Sequence, residues 1–217
     1  MTKLAIVTLV LAAACGKGDS KEAGGGAKGG GGAKGGDLPA EHVAAVNAAL
    51  PAELKGKIEF EAGRIVEDEK RNRAYKAAVP KGWKKAFMPG SLEPADADSF
   101  GSKTLGRTRM SIGRNCDGTC EKKDWAATSD KVLFSQFTSG RVEGKVVKDE
   151  KRATGRTLVF ERKPPEMFPE KEIAVHIINA WWDPEASEYH SCQVELGTPV
   201  KGAAAAFEKA CSNVIQE

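Results

Sequence analysis

The sequence predicts an α+β domain, in which an antiparallel sheet carries flanking helices that include one at the C-terminus. Three observations lead to this prediction. Four extended segments follow one another late in the chain with short links, which favours antiparallel pairing. Apolar residues at helical spacing precede the strands and also close the chain. Residues 37–217 are enough for a single domain with a substantial core.

The first predicted helix begins at Asp37, whose side chain can cap it, with Pro39 in its first turn. Val43, Val46 and Leu50 then recur at helical spacing. We therefore expect an amphipathic helix that opens the domain.

Two strands are predicted after this helix, over residues 57–66 with an interruption near Gly63, and over residues 74–79. The charged residues 67–73 between them indicate a solvated turn or a short extension. Residues 88–103 are rich in Pro, Gly, Asp and Ser and are typical of a loop.

A third strand is predicted over residues 105–113, and a helix over residues 122–137 with its apolar side chains on one side. The four extended segments that follow are residues 142–148, 154–163, 173–182 and 189–196. The chain closes with a predicted helix over residues 201–215. Successive strands with helices at both ends define the α+β class.

The N-terminus has one Lys, an apolar stretch over residues 4–14 and small residues before Cys15. This is the pattern of a secretory signal peptide, and the stretch is too short to span a membrane. With Leu11-Ala12-Ala13-Ala14 directly before Cys15, it resembles the signal of bacterial lipoproteins. The resemblance implies removal of residues 1–14 and anchoring in the lipid bilayer through palmitate and other acyl chains on Cys15. Because Gly16 follows the cysteine instead of Asp, it also implies the outer membrane, facing the periplasm or the cell surface.

Residues 16–36 form a predicted flexible linker between the anchor and the domain. Eleven of these 21 residues are glycine, and none is aromatic or a branched apolar residue. Such a segment cannot bury enough surface to offset the entropy of ordering it. A coil of this length spans roughly 25 Å, so residues 15–36 would hold the domain away from the lipid surface.

Net charge argues against nucleic acid as a partner. Residues 1–36 contain five Lys and two acidic residues, which account for the net charge of +3. Residues 37–217 therefore carry 28 basic and 28 acidic residues. A balanced domain has no electrostatic reason to bind phosphate backbones.

Four cysteines remain after Cys15: Cys116, Cys120, Cys192 and Cys211. In an exported domain they favour two disulfides, for which three pairings exist. Cys192 shares a strand face with Val194 and Leu196, and Cys211 lies on an apolar helix face. A helix laid back on its own strand would join these two cysteines, and the Asp-Gly turn between Cys116 and Cys120 would let the other pair close.

Two other roles for the cysteines are possible on sequence alone. The Cys-x-x-x-Cys spacing of Cys116 and Cys120 resembles copper-chaperone proteins of the thioredoxin fold, which implies a thiol-redox or copper-handling function. Alternatively, Cys116, Cys120, His190 and Cys192 could ligate zinc or Cu(I). Structural disulfides remain the favoured interpretation, with no metal and no cofactor expected.

No hydrolase, zinc-protease, phosphate-loop or haem-attachment motif occurs in the chain. Of the three histidines, His42 is predicted on a helix, His176 on a strand and His190 beside Cys192. A lone histidine in a strand is more often packed and hydrogen-bonded than catalytic. The acidic residues that follow Trp182, namely Asp183, Glu185 and Glu188, are predicted to lie in a solvated loop. We therefore expect no enzymatic activity.

A strand that runs into Val79-Pro80-Lys81-Gly82-Trp83, a middle helix, an antiparallel meander and a C-terminal helix resemble the Mog1/PsbP-like domains. The resemblance covers residues 57–217 and implies a non-catalytic assembly or binding factor. Trp181 and Trp182 face opposite sides of the predicted sheet. If helices cover only one face, one indole is exposed and these residues are the candidate binding surface; if both faces are covered, both indoles lie in the core. The sequence therefore predicts an envelope lipoprotein that binds a protein or glycan partner.

Overall fold

The computed structural model describes residues 33–34, 36–115, 133–163, 167 and 172–217. Within these residues the chain forms strands β1 (Ala33–Lys34), β2 (Phe60–Asp68), β3 (Arg73–Pro80), β4 (Lys84–Lys85), β5 (Ser91–Glu93), β6 (Arg109–Arg114), β7 (Gly144–Arg152), β8 (Gly155–Arg162), β9 (Ile173–Asp183), β10 (Glu188–Gly197) and β11 (Ile215–Gln216). The α-helices are α1 (Ala40–Ala48), α2 (Ser135–Thr138) and α3 (Ala204–Cys211). Short 3-10 helices cover Ala52–Leu54 and Thr198–Ala203. None of the helices in the described part of the chain is both long and apolar enough to cross a membrane.

The strands form two sheets instead of one. The large sheet has the order β4-β5-β6-β10-β9-β8-β7, and all its pairs are antiparallel. The small sheet has the order β1-β11-β3-β2, with a parallel pair only between β1 and β11. The predicted α+β class with antiparallel strands and a C-terminal helix is therefore confirmed. The second sheet was not predicted, because its strands lie at opposite ends of the chain.

The main core lies where the helices and both sheets meet. Helix α3 contacts β3 of the small sheet and both β9 and β10 of the large sheet. Its buried Phe207 packs edge-on against Phe60 of β2, with ring centroids 5.0 Å apart, and against Trp83 at 5.9 Å. Burial of such aromatic side chains stabilises a core by about 2–3 kcal/mol each. This helix therefore holds the two sheets together.

A second apolar cluster covers the other face of the large sheet. Phe134 and Phe137, around helix α2, pack there with Phe160 and Trp182. The guanidinium group of Arg156 lies 4.5 Å from the centre of the Phe134 ring, a cation–π arrangement. The large sheet is thus covered on both faces along β8 and β9.

The ends of the domain differ from the predictions. Helix α1 is preceded by Pro39, and Asp37 does not cap it; its carboxylate instead pairs with Lys76 at 2.8 Å. The last helix ends at Cys211, and Ile215 begins strand β11, which pairs with β3. In addition, Ala33–Lys34 of the predicted linker pair with β11. Backbone pairing at a sheet edge needs no apolar pattern, so periodicity did not indicate it.

The first half of the domain shows two smaller differences. Strand β2 continues through Gly63, where an added Cβ would lie 2.2 Å from a methyl group of Val79. The glycine thus allows close contact within the sheet and does not interrupt the strand. The predicted loop 88–103 contains the short strand β5. Residues 122–132 of the predicted middle helix lie outside the described residues.

Candidate functional site

A polar cleft of about 370 Å³ opens on the face of the large sheet that points away from helices α1 and α3. Its floor is formed by β6, β10 and β9. One wall consists of residues 88–91, before and within β5, and the other of Gln136 and Phe137 from α2. A volume at the lower end of the range for small-molecule sites, about 300–1,000 Å³, makes this cleft the candidate site.

Strand alternation explains why the floor is polar. Met110 and Ile112 of β6 point into the main core, so Ser111 and Gly113 point into the cleft. In β10 the core side chains are Cys192, Val194 and Leu196, so Ser191, Gln193 and Glu195 face the other way. The two strands pair in antiparallel register, which sets the cleft residues in rows: Ser191 opposite Gly113, Gln193 opposite Ser111, and Glu195 opposite Arg109.

Amide groups in the floor are oriented by one buried hydroxyl. Nδ2 of Asn115 donates to Oγ of Ser191 at 2.7 Å, and Nε2 of Gln193 donates to the same oxygen at 2.9 Å. Both donors are thereby fixed on Ser191, which is only 1% exposed. The amide oxygens of Asn115 and Gln193 have no hydrogen-bond partner among the described residues.

The charged groups at the two ends of the cleft are already paired. Arg109 and Glu195 form an ion pair at 2.7 Å, and the Arg109 guanidinium also lies 3.3 Å from the sulfur of Met88. At the other end, Glu67 accepts a hydrogen bond from the backbone N–H of Arg114 at 2.9 Å. The Arg114 side chain pairs with Glu188 at 2.7 Å. The cleft therefore offers little net charge to a ligand.

His176 of β9 is a partly buried ring in the floor of the cleft. Its imidazole packs against Phe137, with ring centroids 4.7 Å apart and ring planes tilted by 44°, and Phe137 in turn contacts Phe160. Burial lowers the pKa of His176 to about 4, with nearby Arg162 acting in the same direction and Glu195 opposing it. The ring is therefore neutral at pH 7 and carries one hydrogen-bond donor and one acceptor. Neither nitrogen has a hydrogen bond within the described part of the chain.

A buried chain of hydrogen bonds runs from the cleft into the core. The Tyr75 hydroxyl donates to Glu67 at 3.0 Å, and Nδ1 of His190 lies 2.9 Å from the same hydroxyl oxygen. Because the Tyr75 hydroxyl donates its proton to Glu67, its oxygen must be the acceptor in the contact with His190. We therefore place a proton on Nδ1 of His190, which donates to that oxygen. Burial raises the pKa of Tyr75 and lowers that of His190. The sequence did not indicate this chain, because Tyr75 and His190 are 115 residues apart.

The remaining histidine and the acidic turn have structural roles. His42 of α1 faces helix α3, where burial lowers its pKa. Asp183 does not stay solvated; it is 8% exposed and accepts hydrogen bonds from the backbone N–H groups of Glu185 and Ala186. Glu188 bridges the two sheets by pairing with Arg114 and, at 3.5 Å, with Arg73 of β3.

The predicted disulfide between Cys192 and Cys211 is present. The two Cα atoms are 5.4 Å apart, and the bond ties the end of α3 to the middle of β10. Cys192 is therefore not available as a metal ligand, so the alternative metal site that used it with His190 is wrong. No group of three or more His, Cys, Asp or Glu within the described residues could hold a metal ion. Cys15, Cys116 and Cys120 lie outside the described residues.

Trp181 and Trp182 do not form a binding surface, and that prediction is wrong. They are 2% and 3% exposed. Trp181 points into the main core and stacks on His190 with ring centroids 5.7 Å apart, whereas Trp182 packs in the cluster around Phe134. The two indoles do face opposite sides, as alternation requires, but both faces of the sheet are covered at this point.

No family model matches the chain, and no curated protein matches it. Among solved structures, it is similar to the Ran-binding protein Mog1p of Saccharomyces cerevisiae, with 9% identity, a TM-score of 0.39, and coverage of 70% of this chain and 91% of that one. A mutant of protein Mog1 matches with 9% identity, a TM-score of 0.36, and coverage of 70% and 89%. Both belong to the group that the sequence analysis named. Similarity at this level carries no conclusion about function.

Proposed function

We propose that this protein is a non-enzymatic binding module of the bacterial cell envelope, anchored by lipid on Cys15 and presenting the polar cleft to its ligand. The observation that supports the binding role is the set of oriented groups in the cleft that have no hydrogen-bond partner among the described residues: the amide oxygens of Asn115 and Gln193 and the ring nitrogens of His176. Polar groups placed in a concave site in this way fix the orientation of a ligand.

The chemistry of the lining favours binding over catalysis. Ser191 accepts hydrogen bonds from two amides, and the hydroxyls of Ser91 and Ser111 point to backbone carbonyl groups at 3.4 and 3.5 Å. None of the three is paired with a histidine that could remove its proton, which a serine nucleophile requires. Glu195 is neutralised by Arg109.

The N-terminal segment supports the envelope location. The signal peptide over residues 1–14, the cysteine that follows it and the glycine-rich linker form a consistent arrangement for display of a domain outside the cytoplasm. More than one acyl chain is needed for stable anchoring, and a lipoprotein cysteine provides this. A coil over residues 16–32, which precede strand β1, would then set the distance of the domain from the bilayer at roughly 20–25 Å.

Site-specific photocrosslinking in intact cells tests this proposal. A photoreactive residue at Gln136 or Gln193 lines the cleft, and one at the exposed Ser212 serves as the matched control. We expect a crosslinked product from the two cleft positions that the control does not give. Products that are the same at all three positions, or absent from the cleft positions, would contradict the proposal.

A thiol count on the native protein tests the alternative function. The thiol-redox or copper-handling function of Cys116 and Cys120 requires free, reactive thiols or bound copper after purification. We expect neither, because an exported domain favours a disulfide for this pair. Two reactive thiols in the oxidised protein would favour the alternative function.

A further inference from the structure

We infer that the ligand of the polar cleft is an uncharged saccharide, bound over Ser111 and Gln193 with one ring face against His176. This inference rests on the proposed function and names the ligand class of the same site. It is carried by the hydrogen-bonding groups of the lining, the charge of the lining, the position of the cleft in the sheet and the ring surface that His176 presents.

The hydrogen-bonding groups match the hydroxyl groups of a sugar. A hydroxyl both donates and accepts, so it needs a mixed lining of donors and acceptors. The cleft provides acceptors in the amide oxygens of Asn115 and Gln193, and both kinds of group in the neutral imidazole of His176. The Ser111 hydroxyl adds a group that can both donate and accept, because its own hydrogen bond to the Gln193 carbonyl is 3.5 Å long and therefore weak.

The charge of the lining excludes anionic ligands. The cleft has two cationic side chains, Arg109 and Arg114, and each is committed to a carboxylate at 2.7 Å. A phosphate or carboxylate ligand needs an arginine, a lysine or a helix N-terminus that is free to pair with it. Such a ligand would also approach Glu67 and Glu195, which lie at the two ends of the cleft.

The position of the cleft excludes a peptide that binds by strand addition. Its floor is the face of β6, β10 and β9, which are interior strands of the large sheet. Their backbone N–H and C=O groups are already paired with each other. An extended peptide gains its affinity from unpaired backbone groups at a sheet edge, and this floor has none to offer.

His176 in the floor provides a surface for the apolar face of a sugar ring. The His176 imidazole is held in place by Phe137, and Met88 and Ile178 lie nearby in the lining. Because the His176 ring already packs against Phe137, binding of a sugar would cost it little further rotamer entropy. The cleft volume of about 370 Å³ suits one or two sugar rings.

Binding is tested on the full chain by NMR and calorimetry. The detergent is zwitterionic, because the sugar headgroup of a glycoside detergent would compete for the cleft. The probes are cellobiose and N,N′-diacetylchitobiose, with glucose 6-phosphate and a capped tetra-alanine peptide as comparisons. We expect a neutral disaccharide to shift the amide signals of Ser111, Gln193 and His176. Tighter binding of longer oligomers than of the disaccharide would identify a polymer as the source of the saccharide. Equal affinity for the oligomers and the disaccharide would identify a free sugar.

Variants locate the binding site. Gln193→Ala and Ser111→Ala each remove one neutral hydrogen bond and should weaken binding about 3- to 10-fold. Gln216→Ala and Ser212→Ala make the same chemical changes outside the cleft and should leave binding unchanged. Because the signal shifts are measured on the unchanged chain, the inference stays testable even if a cleft variant fails to fold.

Three results would overturn the inference. Binding of the disaccharide with shifts away from the cleft, or equal loss in cleft and control variants, would refute the site. Preferential binding of glucose 6-phosphate would refute the argument from charge. Binding of the peptide and of neither disaccharide would refute the ligand class, while crosslinks from Gln136 and Gln193 in cells would leave the proposed binding function intact.

Discussion

The disulfide between Cys192 and Cys211 should be a major source of stability, and its removal gives the sharpest test of the structure. Both residues are fully buried, and they are 19 residues apart in sequence. For a loop of this length, the loss of chain entropy in the unfolded state is worth about 3 kcal/mol. Replacing both by alanine also leaves space where two buried sulfurs were, which costs roughly 1 kcal/mol more.

We therefore expect the double variant Cys192→Ala/Cys211→Ala to lose about 4 kcal/mol of unfolding free energy. For a domain of this size, that corresponds to a fall in Tm of roughly 10 °C. The loss is measured by urea unfolding followed by tryptophan fluorescence and by thermal unfolding followed by circular dichroism. Folding itself should persist, because Phe207 and Phe60 still join α3 to the small sheet.

The double variant Cys116→Ala/Cys120→Ala provides the matched control. The disulfide predicted for this pair closes a much shorter loop and is worth only about 2 kcal/mol in the same model. A loss at 192/211 that is smaller than at 116/120, or below about 1 kcal/mol, would refute the reasoning from loop entropy. An unpaired Cys192 thiol in the oxidised, folded protein would refute the disulfide itself.

The other predictions concern pH, anchoring and the indoles. The pKa of His176 is lowered to about 4 on folding and that of His190 is also lowered, so the unfolded chain binds more protons below its own pKa of about 6.5. The contribution of these histidines to the free energy of unfolding is therefore fully present above that pH and is lost as pH falls. At about pH 5, the shift of His176 alone lowers the free energy of unfolding by about 2 kcal/mol. His176→Gln should flatten this dependence in urea unfolding, and an unchanged slope would contradict the assignment. Cys15→Ser should move the protein from the membrane fraction to the soluble fraction, and an unacylated Cys15 in mass spectrometry of the native protein would contradict the anchor. Finally, in a chain whose Trp83 and Trp125 are replaced by phenylalanine, Trp181→Phe and Trp182→Phe variants should each retain a blue-shifted, iodide-resistant emission from the other buried indole, and strong quenching of either would contradict the burial.

Local periodicity predicted most of the large sheet. The alternating segments 154–163, 173–182 and 189–196 correspond to β8, β9 and β10 within one or two residues. The same alternation placed Cys192 on the core face, and helical spacing placed Cys211 on the face of α3 that meets it. These features were predictable because a strand or a helix repeats its pattern over a few neighbouring residues.

The candidate site was not predictable in this way. The cleft combines residues 88–91, β6, α2, β9 and β10, which no local pattern relates. Ser111 and Gln193 were visible in the sequence only as the polar members of alternating strands. Their meeting depends on the register of β6 against β10, which sets Gln193 opposite Ser111.

The sequence by itself determined the fold class and the strand faces, and it predicts the export signal and the linker, because each of these depends on residues close together in the chain. The tertiary structure alone decided that Trp181 and Trp182 are both covered and that Glu67, Tyr75 and His190 form one hydrogen-bonded chain. The physical reason is that burial depends on which layers pack against a sheet face. That choice is made by contacts between distant segments, which local periodicity does not record.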